Sequence, residues 1–352
     1  MKKRISTRAI CLLVAAIMLV GALTVSAING SPYENLKSAV INALFNENFT
    51  LEGEFTIKVD GHVQEREWVR SYFSTESRLE IGGGESFRLP GDAEPTRSHE
   101  RISYETRYFR INPVFTGGYD TQWYSVSRPW RNHDAGFPSS LGHEMFGTAG
   151  RNSNYLRLAE LVVDLFVGDL KNNLTMSSRD GVTSISGAIT ESQLPEFARI
   201  VIDIAIDEQL RWRNIDTLRR EDFDGRPVLD IPMRSVTIDR IQGNADIDGD
   251  GNLTYVNVLG IATFETIFGD TYVVEIGGVM RFTDIGTTVP GNTFAGAREM
   301  FDEHFSTPWQ HRQLFFTLDE NGNIDIDSIT DQWPQWTRHD SRIVLSETSW
   351  GS

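Results

Sequence analysis

The apolar and polar positions of the chain form three kinds of pattern: one unbroken apolar run, a few helical stripes and many alternating stretches. The unbroken run covers residues 9–28. Apolar residues then recur at helical spacing from Tyr33 to Phe45, which predicts an amphipathic helix. From Leu51 to Val59 every second residue is apolar or glycine, and the residues between them are polar. This period predicts a strand with one polar face, and therefore an antiparallel sheet that is covered on one side.

Further alternating stretches predict that the sheet is large, and Asp60-Gly61 is a typical hairpin-turn signal. Additional helical stripes predict helices that cover the sheet. We therefore predict an α+β fold, in which amphipathic helices pack on the apolar face of a large, curved antiparallel sheet. The main predicted segments are long strands at 228–241, 253–267 and 271–284, helices at 154–167 and 194–204, and long glycine- and proline-rich loops at 82–95 and 128–150.

The same patterns divide the chain into four predicted segments. They are a signal peptide or signal-anchor at 1–28, an extracytoplasmic α+β domain at 31–290, a C-terminal helix with a small hairpin at 291–330, and a polar, disordered tail at 331–352.

The N-terminal segment has the order of an export signal, with a basic head of Lys2, Lys3, Arg4 and Arg8 before the apolar run. The run is long enough for a membrane-spanning helix of about 20 residues, which favours an uncleaved anchor. The small residues at 25–27 instead favour cleavage. Both alternatives place the bulk of the chain outside the cytoplasm of a cell that we interpret as bacterial, either secreted or tethered to the membrane.

Composition excludes several classes of function. The formal net charge of -16 disfavours nucleic acid as a partner, because its phosphates would be repelled. The one cysteine, Cys11, lies in the N-terminal segment, so the remainder has no disulfide and no catalytic thiol. The motifs of serine hydrolases, phosphate-binding loops and dinucleotide-binding domains are missing from the sequence. We therefore predict a protein that is not an enzyme and that needs no cofactor.

One acidic segment has two interpretations. Asp246, Asp248 and Asp250 stand at the first, third and fifth positions of an EF-hand-type calcium loop, but Asn257 occupies the twelfth, where a bidentate glutamate belongs. The flanking sequence alternates like strands, which favours a tight acidic hairpin turn. Weak calcium binding by the three aspartates is the alternative.

Taken together, the export leader, the amphipathic helix and the long antiparallel strands resemble the LolA/LppX group of bacterial envelope lipid-binding proteins. The resemblance is architectural and covers residues 33–284. It implies a half-barrel with helices on its concave face, where an acyl chain or another apolar ligand is held. The ligand-lining residues that it implies are Phe55, Ile57, Val59, Leu44 and Ile204. The alternative for each of them is a place in an ordinary filled core.

Two functions follow from these patterns. The first is an exported or membrane-tethered protein that binds a lipid or a similar apolar molecule. The second is an envelope ectodomain that binds a protein or acts as a sensor and holds no small ligand, with a partner that the sequence does not identify. A well-packed sheet interior without a cavity would favour the second.

Overall fold

The computed structural model describes residues 32–75, 77–87, 92, 94–106, 109–113, 123–127, 154, 156–158, 160–161, 173–194, 196, 199–200, 203–204, 219–223, 227–288, 294, 314–319 and 324–331. The predicted leader, the predicted loop at 128–150 and nearly all of the predicted tail lie outside these residues. Within the part that is described, no helix has both the length and the apolar character needed to cross a membrane.

In the described part of the chain, twelve strands form one sheet in which all neighbours pair antiparallel, so the fold is largely β. The predicted antiparallel sheet is thereby confirmed. The elements are α1 (Pro32–Phe45), β1 (Phe49–Val59), β2 (His62–Phe73), β3 (Ser77–Ser86), β4 (Arg97–Thr106), β5 (Arg110–Pro113), β6 (Trp123–Ser127), β7 (Leu174–Arg179), β8 (Val182–Thr190), β9 (Met233–Ile247), β10 (Leu253–Thr266), β11 (Thr271–Thr283) and β12 (Leu314–Thr317), with 3-10 turns at Glu191–Gln193, Arg220–Phe223, Val228–Asp230 and Ile326–Ser328. Across the sheet the strand order is β12-β6-β5-β4-β3-β2-β1-β11-β10-β9-β8-β7.

The hairpins form where the Asp-Gly pairs stand. Asp60 and Gly61 have φ values of 50° and 81°, and Asp180 and Gly181 have 51° and 80°. Two consecutive residues with positive φ are typical of the type I′ turn, whose twist matches that of the flanking strands. The predicted turn between β1 and β2 is therefore confirmed, and β7 and β8 are joined by a turn of the same kind.

The prediction of a loop beginning at Gly82 is wrong, because Gly82, Gly83 and Gly84 lie inside β3. A Cβ atom on Gly83 would lie 2.7 Å from the carbonyl oxygen of His99 on β4 and 2.8 Å from Nε1 of Trp68 on β2. Glycine is required at this position because a neighbouring strand and an indole ring approach closely. The sequence signal of a loop and that of a crowded strand are the same here.

The main hydrophobic cluster lies on the face of the sheet that α1 covers. Leu36 and Ala39 of the helix pack with Ile57 and Val59 of β1 and with apolar residues of β8–β11. Full burial of a side chain such as Leu36 contributes about 2 kcal/mol to stability.

A second cluster lies on the opposite face, at the other end of the sheet. Glu54 of β1 lies on the opposite face of the sheet from Ile57. It pairs with Trp68 of β2, which in turn pairs with Gly83 of β3, and Ile102 of β4 lies on this same face. The apolar side of the sheet therefore switches between β1 and β4. The buried members of this second cluster are Phe109, Ile111, Tyr124, Val126, Phe294, Leu314, Phe316 and Ile324.

Strand β12 pairs with β6 and so belongs to this same sheet. It comes from the segment 291–330, which the sequence pattern sets apart from the main domain. Phe315 forms a bridge with Thr330, and Leu318 forms one with Ile324, so the predicted small hairpin is attached to the edge of the sheet.

Candidate functional site

In β1, β2 and β7–β11, one face of the sheet points away from α1, and we call it the polar face. Paired residues of neighbouring antiparallel strands point to the same side, so the side chains of this face form rows across the strands. The central row consists of Thr175, Ser186, Asn244, Asn257, Val279, Glu54 and Trp68. The adjacent row consists of Ser184, Asp246, Tyr255, Arg281, Glu52 and Arg70.

The first feature of the polar face is a cleft of about 500 Å³ over β7–β10, which we call the amide cleft. Within the part of the chain that the structure describes, the side-chain amides of Gln242, Asn244 and Asn257 have no hydrogen-bond partner. Each amide offers two N–H donors and a carbonyl acceptor. The cleft is lined by Asn173, Thr175, Ser186, Gly187, Ala188, Arg240, Gln242, Gly243, Asn244, Asn257 and Leu259.

Hydroxyl groups border these amides. The Oγ1 of Thr175 and the Oγ of Ser186 lie 3.0 Å apart, and Thr175 also donates to the carbonyl oxygen of Ser186 at 3.3 Å. Among the described residues that line this cleft, Arg240 is the one charged side chain. The described lining is therefore almost neutral, and it presents both donors and acceptors.

The second feature is a cleft of about 400 Å³ over β11, β1, β2 and β3, which we call the charged cleft. An Nη2–Oε1 distance of 2.6 Å joins Arg70 to Glu52, and the Arg281 guanidinium lies 5.6 Å from the ring centre of Tyr255. A side-chain hydrogen bond with Tyr72, and then the charge of Glu52, raise the pKa of Arg70 above its ordinary value. The lining is Glu52, Gly53, Glu54, Trp68, Val69, Arg70, Ile81 and Arg281.

Trp68 links the charged cleft to the central row. Its Nε1 and Cε2 lie 2.8 and 3.0 Å from the place that a Cβ of Gly83 would occupy, so the indole lies across β3. The side chain is 38% exposed. An indole held in this way offers an aromatic surface to a ligand on the polar face.

The residues that the LolA/LppX resemblance implies as ligand-lining occupy different environments. Ile57 and Val59 belong to the main buried cluster, and Phe55 packs against it. Leu44 of α1 is half-buried, whereas Ile204 is 60% exposed and thus lies outside that buried cluster. Contact between any of them and a ligand stays a prediction.

The space between α1 and the sheet is well filled at one end of the helix. The cavity there has a volume of about 10 Å³ and is lined mainly by Ala43, Phe49, Leu253, Phe282 and Ile285. Such a volume accommodates about one water molecule.

The predicted aspartates lie at the turn between β9 and β10. The Oδ1 atom of Asp248 accepts hydrogen bonds from the backbone N–H groups of Asp250 and Asn252, at 3.0 and 2.8 Å, and its Oδ2 accepts from Nδ2 of Asn252 at 3.1 Å. Asp246 accepts a hydrogen bond from Ser184 at 2.7 Å. The described residues contain no group of three side chains that is arranged to hold a metal. The segment forms the acidic turn that the sequence favours, and calcium binding stays a prediction.

The amide cleft is absent from the sequence-based predictions, although a signal for it exists. In β9, Gln242, Asn244 and Asp246 alternate with the buried residues Ile241 and Ala245 and with Gly243. The alternation predicts which side is buried, but it does not distinguish an ordinary solvated face from a binding face.

Comparison with known proteins identifies no family. No protein-family model matches the chain, and no curated protein matches its sequence. The N-terminal β-barrel domain of Pseudomonas aeruginosa OprF gives a TM-score of 0.15 at 8% identity, over 68% of this chain and 99% of that one. Rv2717c from M. tuberculosis gives 0.15 at 8% identity, over 67% and 91%. Likeness at this level carries no argument about fold or function.

Proposed function

We propose that this chain is an exported, non-enzymatic binding protein that holds a polar ligand on the polar face of its sheet. The basic head and apolar run at 1–28 support an extracytoplasmic location in a bacterial envelope, with this segment either removed or retained as a membrane tether. A half-barrel curvature of the sheet, with further helices on its concave face, belongs to the same proposal.

The observation that carries the proposal is the amide cleft. Polar side chains on a sheet surface ordinarily face water, but here three partnerless amides converge on one cleft of about 500 Å³. Ligand pockets have volumes of about 300–1,000 Å³ and use a few convergent polar groups to orient the ligand. A ligand that pairs with these amides would replace their hydrogen bonds to water, and it would not have to break any hydrogen bond of theirs within the described part of the protein.

Lipid carriage, the function implied by the LolA/LppX resemblance, needs an apolar cavity instead. The cavity beside α1 measures about 10 Å³, which is too small for an acyl chain. The charged cleft combines four charged side chains with the apolar Trp68, Val69 and Ile81, and the amide cleft is lined mainly by polar groups. Within the described residues, these volumes give no support to an acyl-chain site, and they shift the expected contact surface to the polar face.

The proposal is tested by presenting three probe classes to the full-length protein: neutral oligosaccharides, soluble peptides and long-chain fatty acids. Binding is measured by isothermal titration calorimetry. We expect a polar probe to bind, and we expect Asn244→Ala combined with Asn257→Ala to weaken it strongly. Asn35→Ala is the matched control, because Asn35 lies on α1, at the opposite face. Fatty-acid binding that survives the double substitution, with no binding of either polar class, would refute the proposal.

A further inference from the structure

The chemistry of the amide cleft narrows the class of ligand. Gln242, Asn244 and Asn257 are neutral, and each both donates and accepts hydrogen bonds. Sugar hydroxyl groups also donate and accept, and they occur at close spacing around a ring. An anionic ligand fits less well, because the chain has a net charge of -16 and the described lining of this cleft has a single arginine.

A peptide fits the amide cleft less well than a saccharide. The cleft lies on a sheet face, where the backbone groups of β8, β9 and β10 already pair with one another, so a peptide cannot add to them as a further strand. Peptide and protein partners also need apolar or aromatic anchors at the centre of the contact. In the described lining of this cleft, the apolar side chains are Ala188 and Leu259.

Trp68 supplies a second contact that suits a saccharide. The aliphatic C–H groups on the face of a sugar ring carry partial positive charge and pack against the negative face of an indole. Trp68 stands in the central row on β2, three strands away from Asn257, and its indole lies across β3; at about 4.8 Å per strand the ring is therefore about 14–19 Å from Asn257. A chain of several sugar rings spans this distance, whereas a single ring does not.

We propose that the polar face binds a neutral oligosaccharide that crosses the strands, with its hydroxyl groups on the amides of Gln242, Asn244 and Asn257 and one ring stacked on Trp68. This inference rests on the proposed function and adds the class of ligand to it.

The test is a calorimetric titration of the full-length protein with neutral glucans, mannans and chitin fragments, each from disaccharide to hexasaccharide. The protein is kept in a detergent that has no sugar headgroup, because such a headgroup would compete for the cleft. We expect affinity to rise with chain length, since only the longer oligosaccharides reach Trp68. Trp68→Ala should lower the affinity for the hexasaccharide about tenfold, while that for the disaccharide stays within about twofold. Trp68→Phe should retain most of the affinity.

The amides are tested in the same titration. Asn244→Ala combined with Asn257→Ala should weaken disaccharide and hexasaccharide alike by about 25-fold, from about fivefold for each hydrogen-bonded amide. Asn35→Ala should leave both affinities unchanged.

Each contrary outcome has a defined meaning. Peptide binding that requires the two asparagines, with no saccharide bound, would overturn this inference and leave the proposed function standing. If Trp68→Ala binds saccharides of every length with unchanged affinity, the proposal that the ligand extends across the strands to Trp68 would be overturned. An absence of binding by both polar classes would overturn the inference and the proposed function together.

Discussion

Gln64 provides a direct test of the energetics of the sheet. It stands at the β-bulge between β1 and β2, where the register shifts between Ile57 and Lys58. Its side chain is 1% exposed, and neither its Oε1 nor its Nε2 has a hydrogen-bond partner within the described chain. Its backbone carbonyl does accept a hydrogen bond, from the N–H of Phe87 at 2.8 Å. The side-chain amide is therefore unsatisfied, whereas the backbone carbonyl is not.

We expect Gln64→Leu to stabilise the protein. Burial of an unpaired amide costs about 1–3 kcal/mol by protein mutational data, and leucine has a similar size without the polar atoms. The substitution keeps the backbone hydrogen bond to Phe87. A gain of about 1–3 kcal/mol corresponds to a rise of the melting temperature by about 2–4 °C for each kcal/mol in a domain of this size.

The assay is urea denaturation followed by circular dichroism. Stabilisation should shift the midpoint to higher urea while the slope stays the same. Gln193→Leu is the matched control: the Oε1 of Gln193 accepts a hydrogen bond from the N–H of Thr190 at 2.9 Å, so its loss should destabilise by about 1 kcal/mol. A lower midpoint for Gln64→Leu would refute the reasoning, because it would mean that the amide is satisfied in solution.

Three further predictions concern single side chains. Asp248→Ala removes the carboxylate that accepts three hydrogen bonds in the β9–β10 turn. It should therefore destabilise the protein by about 1–2 kcal/mol in the same urea assay. Asp250→Ala, at an exposed position of that turn, should cost less than about 0.5 kcal/mol. Equal effects of the two substitutions would contradict this account of the turn. Burial raises the pKa of Tyr124, so the unfolded state loses this proton before the folded state does. The stability that Tyr124 contributes is complete below pH of about 10 and falls as the pH rises through the folded pKa. Tyr124→Phe should flatten that fall in chemical denaturation measured as a function of pH, and an unchanged slope would refute the assignment. Gly83→Ala should destabilise the protein by about 1–3 kcal/mol, because the new Cβ would lie 2.7 Å from a carbonyl oxygen. The Cβ of Gly277→Ala would have no neighbouring atom closer than 3.9 Å, so this variant should be close to neutral in thermal denaturation. Similar melting temperatures for the two alanine variants would show that β3 and β4 separate freely.

The strands of this fold are predictable from sequence because side chains on a strand alternate whatever its partner is. The alternation between Leu51 and Val59 and the Asp-Gly turns therefore lead to elements that the structure confirms. The pairing of β12 with β6 joins residues far apart in the chain, and local periodicity carries no information about it. The role of Gly83 depends on the indole of a different strand, so its sequence context resembles that of a loop.

The candidate site is less predictable than the fold for a related reason. Asn257 is recognisable from sequence as a polar residue on a strand, and it is also the residue that departs from the calcium-loop pattern. Its place beside Asn244 depends on the register between β9 and β10, which shifts at several positions. A one-residue change of register would move these amides to the other face. Only the paired strands show that they share a cleft.

The switch of the apolar side between β1 and β4 gives the two ends of the sheet separate sources of stability. The cluster around Phe316 and Tyr124 and the cluster under α1 lie on opposite faces, so opening of the first does not uncover the second. Proteins open locally in cooperative units of different free energy, and this division supplies a natural boundary between two such units. The amide cleft rests on the unit that α1 covers. A ligand bound there would stabilise that unit directly against local opening. It would stabilise the end of the sheet that contains β4–β6 and β12 only through the pairing of β2 with β3.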